Sequence, residues 1–186
     1  MSPWIWIGIA VAVIVVVAIA LLAARSRRSR RLRQQFGPEY DRTVSDAPNR
    51  REAESVLAER EKRRKELDIR PLAPASRDRY ADEWLAVQSR FVDDPAGAVG
   101  DADALVRRVM AERGYPMSDF DSQADLISVD HPVVVENYRS AHAIHESYGR
   151  GDAATEDLRQ AMVHYRALFE ELLETGERVT TGTEER

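Results

Sequence analysis

TEDLRQAMVHYRALFEELLE, residues 155–174, sets Leu158, Ala161, Met162, Tyr165, Leu168, Phe169, Leu172 and Leu173 at intervals of three and four with polar residues between them. That spacing is the apolar stripe of a helix packing in a bundle. Thr155 is placed to cap it. One such stripe cannot hide itself from water, so the residues before it should supply its partners.

They carry the same period. Val134, Tyr138, Ala141, His145 and Tyr148 share a face of a helix expected to start at Asp130-His131-Pro132 and to end at Gly149 and Gly151. Val99, Ala102, Leu105, Val106, Val109 and Met110 form another, with Asp94 as N-cap, Pro95 at the first helical position and Gly114 as the stop. Tyr80, Trp84, Val87 and Phe91 follow Ser76 as a cap and end near Asp93, and Tyr80 and Trp84 belong in the core. Ser118 with Asp121 predicts a short additional helix to about Ile127. Residues 76–174 therefore read as an all-α domain, a small bundle of about four helices with one modest core. Glu170, Glu171 and Glu174 crowd the last turns, where the helix dipole disfavours acids, and are a candidate docking face for a basic partner. Residues 175–186 are polar and read as a disordered tail.

Upstream, residues 34–75 form a charged helix and linker. Phe36-Gly37-Pro38-Glu39-Tyr40-Asp41 holds a Gly-Pro break. Asn49 then begins a helix to about Leu67, with Glu52 placed to reach back as in a capping box. Glu59–Arg63 and Glu61–Lys65 are i,i+4 pairs in the favoured order. Its apolar stripe is thin, Ala53, Val56 and Leu57 giving way to Arg60 and Arg64, so a solvated helix is expected, with a self-associating spacer through 49–67 as an alternative.

Trp4 to Ala24 is an unbroken apolar run, long enough at about 1.5 Å per residue to cross a hydrocarbon core. Trp4 and Trp6 stand at one end, where indole rings settle among headgroups. Arg25, Arg27, Arg28, Arg30, Arg31 and Arg33 form a collar at the other. The sequence thus predicts a single-pass transmembrane helix at 4–24 in the plasma membrane, residues 1–3 outside, and a basic stop-transfer collar at 25–33 that keeps the C-terminal domain cytoplasmic. A cleavable signal peptide would need a charged n-region and a shorter apolar stretch. The partners that follow are the lipid bilayer, anionic lipid headgroups at the collar, and a protein partner or a second copy of the chain. No nucleic-acid module is present.

Charge is zoned along the chain. Residues 1–33 hold six arginines and no acid, 34–70 hold nine basic and nine acidic side chains, and 71–186 hold 12 basic and 23 acidic. An acidic domain is repelled by an anionic surface, which gives the balanced middle zone a spacing role.

Chemistry is hard to find. Cysteine is absent, excluding thiol catalysis and disulfides. No nucleophile elbow, phosphate-binding loop or dinucleotide fingerprint occurs. His142 and His145 lie one turn apart, with Glu146 beside them and His164 on the next helix, so a metal-binding domain or metal-dependent enzyme using His142, His145 and His164 is the alternative reading. No His-Glu-x-x-His is present, and His145 fits the apolar face as a packed residue.

The runs Phe36–Asp41, Arg90-Phe91-Val92-Asp93-Asp94-Pro95, Glu112-Arg113-Gly114-Tyr115-Pro116 and Asp157-Leu158-Arg159-Gln160-Ala161-Met162-Val163-His164-Tyr165-Arg166 resemble an uncharacterised family of actinobacterial membrane-anchored proteins. The resemblance covers roughly residues 34–174. It implies a bacterial envelope context and carries no activity, ligand or catalytic residue. The sequence reading is a membrane-tethered, non-enzymatic adaptor without catalytic, cofactor or metal residues, presenting an acidic helical domain.

Overall fold

A computed structural model describes the backbone of residues 3–181 and the side chains of residues 13, 15–20 and 22–174. Every regular element among the described residues is helical: α1 (Pro3–Phe36), α2 (Pro38–Asp46), α3 (Arg50–Lys65), α4 (Pro74–Arg90), α5 (Pro95–Arg113), α6 (Phe120–Asp130), α7 (Val135–Gly149) and α8 (Thr155–Thr181). Two compact units divide the chain, Met1–Ala58 and Glu59–Arg186.

In the first unit, the apolar run and the arginine collar lie on one helix, α1. Among the described residues no helix is long and apolar enough to cross a membrane, so the fold does not support the crossing expected at 4–24. The side chains of Trp4 and Trp6, expected at headgroup level, lie outside the described residues. α1 stops at Gly37, whose φ of +47° is costly for any residue with a Cβ. The Gly-Pro break is thus real, and a further helix, not expected from the sequence, follows at once. Pro38 occupies the first position of α2, and Glu39 and Asp41 in its first turn suit the dipole. Asn49 Oδ1 accepts from the Glu52 N–H at 3.0 Å, the cap bond expected. Glu52 meets the Asn49 side-chain amide at 3.5 Å and leaves the backbone N–H, so the capping box is only half made.

The second unit holds the bundle. α8 packs along α5 and α7, α4 packs on α5, and α6 on α7. Leu105, Val106, Met110, Leu158, Tyr165 and Leu168 lie at its centre. Trp84 and Tyr80 are buried as expected, Trp84 stacked on Phe169 with ring centroids 4.7 Å apart. Asp94 caps α5 by accepting from Gly97 N–H at 2.9 Å. Gly114 ends it at φ +99°, with Tyr115 N–H reaching Met110 O and Gly114 N–H reaching Ala111 O, both at 3.0 Å.

Several boundaries move. Pro74 opens α4, two residues before Ser76. Asp119, not Ser118, caps α6 by accepting from Ser122 N–H at 3.0 Å, and α6 is a full helix of three turns. His131 closes α6, its N–H bonded to Ile127 O at 2.7 Å, so α7 starts only at Val135. His145 is half-buried and Tyr148 exposed, which shortens the apolar face of α7 to Val135, Tyr138 and Ala141. At the start of α8 the bond runs from Ala154 N–H to Asp157, so Thr155 is not the cap. α8 continues to Thr181, past the Thr175 where a disordered tail was expected, and residues 182–186 lie outside the described residues.

Candidate functional site

All six collar arginines, Arg25, Arg27, Arg28, Arg30, Arg31 and Arg33, are exposed. Arg33 pairs with Asp41 across the α1–α2 break, Nη2 to Oδ1 at 3.2 Å. Arg25, Arg27, Arg28 and Arg30 make no ion pair with any described residue.

One turn above Arg33 the polar face of α1 becomes buried. Ser29 lies 3.3 Å from the Tyr40 hydroxyl of α2. Tyr40 donates to Glu54 Oε1 of α3 at 2.9 Å and accepts from Arg50 Nε at 2.8 Å. Arg50 Nε also reaches Glu54 at 3.1 Å, and its Nη2 donates to Ser29 Oγ. Burial pushes the Glu54 carboxyl up, but hydrogen bonds from Ser29, Tyr40 and Arg50 outweigh it and hold the group below the ordinary carboxylate range. Four side chains from three helices thus satisfy one another. No local pattern announces this network, because its members come together only once Gly37 has turned α2 back.

In the second unit, the arginines of α3 read as solvated are in fact used. Arg60 is buried, its Nη2 2.6 Å from Asp125, and Arg64 Nε lies 2.5 Å from Asp130. Asp130 also accepts from the Tyr115 hydroxyl at 2.6 Å. The expected solvated helix is therefore corrected: the polar face of this segment docks by ion pairs that its own sequence cannot reveal. Arg113, buried, donates to Leu172 O at 2.9 Å. His131 is buried with Nδ1 3.2 Å from Glu171 Oε1, and its Nε2 meets no partner among the described residues. Burial holds the His131 ring below the usual histidine range, against the pull of Glu171.

The acids proposed as a docking face are engaged. Glu170 accepts from Arg166 Nε at 2.7 Å, Glu171 serves His131, and Glu174 also has an interaction partner.

The histidines of the metal alternative are employed separately. His142 stacks on Phe120 with centroids 3.7 Å apart and pairs with Glu146 at 3.5 Å. His164 Nδ1 is 2.9 Å from Asn137 Oδ1. His145 lies against Gly100. Among the described residues no group of three or more histidine or carboxylate side chains could hold a metal ion. One shallow groove lies between the end of α4 and α8, lined by Gln88, Phe91, Arg159, Met162, Val163 and Arg166, with Leu85 and Val92 exposed nearby in sequence.

No protein-family model matches the chain, and no curated protein or solved structure matches it.

Proposed function

We propose that the protein is a membrane-tethered, non-enzymatic adaptor that holds its acidic helical domain on the cytoplasmic side of the plasma membrane for a partner protein. The supporting observation is the exposure of α1. Val13, Val15, Val16, Val17, Ile19 and Leu22 are each between 50% and 67% exposed. At about 100° per residue these positions, with the exposed Ala18 and Ala20, spread over most of the circumference of the helix, and an exposed apolar surface that wide calls for a nonaqueous surrounding. Exposed arginines follow on the same helix, and by the positive-inside rule they favour the cytoplasmic face. The family resemblance over residues 34–174 adds an envelope context.

Fractionation of cells expressing the full chain tests the tether. Recovery in the membrane pellet after alkaline carbonate washing is expected, and recovery in the soluble fraction would count against it. Gentle purification from native membranes tests the adaptor role, for which a stoichiometric companion protein is the expected result and an isolated chain the contrary one.

A further inference from the structure

Leu22, Arg25, Ser26, Ser29, Arg30 and Arg33 recur at spacings of three and four and so share one face of α1, while Arg27, Arg28 and Arg31 lie on the other. The first face is indented. Ser26 and Ser29 form a low floor, Arg25 and Arg30 stand at its sides, and Arg50 and Glu54 of α3 close it into a cleft of roughly 350 Å³. Leu22 lines its apolar end.

The charge in this cleft does not cancel. Glu54 is committed to Ser29, Tyr40 and Arg50 and kept ionised by them. Arg25 and Arg30 have no carboxylate partner among the described residues, and Nη1 of Arg50 makes no hydrogen bond there. Three guanidiniums against one carboxylate suit a doubly charged oxyanion, and guanidinium forks match phosphate oxygens in geometry. The apolar residues of α1 run directly into the cleft through Leu22, so its height along the helix is where an acyl chain gives way to a headgroup.

We infer that this cleft is a binding site for a phosphomonoester dianion, carried by the headgroup of an anionic phospholipid. The inference deepens the membrane reading and rests on it for the source of the phosphate, not for the chemistry of the cleft. A uniform basic collar would attract anionic lipid from any side. A built cleft discriminates, because only one face of α1 places serines between arginines and meets Arg50.

The test uses the full chain in neutral maltoside micelles, titrated by native mass spectrometry with dihexanoyl phosphatidic acid, dihexanoyl phosphatidylcholine and inorganic phosphate. Phosphatidic acid is expected to bind in preference to phosphatidylcholine. Arg25→Gln with Arg30→Gln should weaken it by about tenfold or more, the loss of charge-assisted hydrogen bonds. Arg27→Gln with Arg28→Gln removes the same charge from the opposite face and should change it by less than about threefold. Ser26→Leu fills the floor with charge unchanged and should also abolish the preference. Equal losses in the two double variants, or full binding by Ser26→Leu, would overturn the site. Inorganic phosphate binding as tightly as the lipid would uphold the anion site and assign it to a soluble ion. A chain recovered soluble on fractionation, yet binding phosphatidic acid through Arg25 and Arg30, would lose the tether and keep the cleft.

Discussion

Replacing Gly114 by alanine should destabilise the bundle by an amount the structure lets one work out. Gly114 sits at φ +99°, and an added Cβ would lie 2.4 Å from the Asp68 carbonyl oxygen and 3.3 Å from its carbon. The left-handed conformation alone costs an L-residue about 1–2 kcal/mol. Relieving the contact moves residues 68–70, which threatens the 2.9 Å bond from Arg70 N–H to Arg113 O, worth about 1 kcal/mol. Stiffening of the unfolded chain offsets about 0.4–1 kcal/mol. The net loss is about 2 kcal/mol, or roughly 6–10 °C in Tm for a unit of this size. Thermal and urea unfolding of the full chain in mild detergent, followed by circular dichroism, measures it. Gly149→Ala is the control: nothing lies within 4 Å of its Cβ and its φ is not positive, so a helical alanine should be neutral or stabilising by up to about 1 kcal/mol. A Gly114→Ala protein as stable as the parent would show that neither the left-handed backbone nor the Asp68 contact constrains this position.

Two further outcomes follow from the buried polar groups. Tyr40→Phe removes the hydroxyl shared by Glu54 and Arg50 and should cost about 2 kcal/mol, the range for a hydrogen bond to a charged group; unchanged protection of the α2 amides in hydrogen exchange would contradict the network. His131 links stability to pH: in the unfolded chain a histidine titrates near about 6.5, whereas burial lowers it in the fold despite Asp130 and Glu171, with Arg113 adding to the fall. The unfolded state therefore takes up the proton first, so this stability is present in full above that value and is lost as pH falls below it. His131→Gln should flatten the dependence of unfolding free energy on pH between about 7 and 5, and an unaltered slope would contradict the assignment.

Much of the bundle was legible because its signals are local. The stripes of α4, α5 and α8, the Asp94-Pro95 start and the Gly114 stop all sit within a few residues of what they specify. Starts marked by several serines and aspartates were ambiguous: Asp119 caps α6 where Ser118 also fitted, and Asp157, inside α8, accepts from the Ala154 N–H at the end where Thr155 was expected to cap. His131 read as the start of a helix because proline follows it, yet its backbone completes α6 and its ring is drawn to Glu171. The charged segment misled most. Arg64 finds Asp130 across 66 positions of sequence, and no periodicity within α3 records such a pair. Ser29, Tyr40, Arg50 and Glu54 were hidden for the same reason. Only the Gly37-Pro38 turn hints that the chain doubles back there, and the residues that follow it, Pro38 with Glu39 and Asp41, carry the local signals of a helix start.

Whether the acidic domain is tethered on the cytoplasmic side is measured by fusing two topology reporters in turn to the C-terminus of the full chain, one active only in the cytoplasm and one only after export. Signal from the cytoplasmic reporter alone is expected, with Arg25, Arg27, Arg28, Arg30, Arg31 and Arg33 retained inside. Signal from the exported reporter alone would contradict it and place the acidic domain in the envelope.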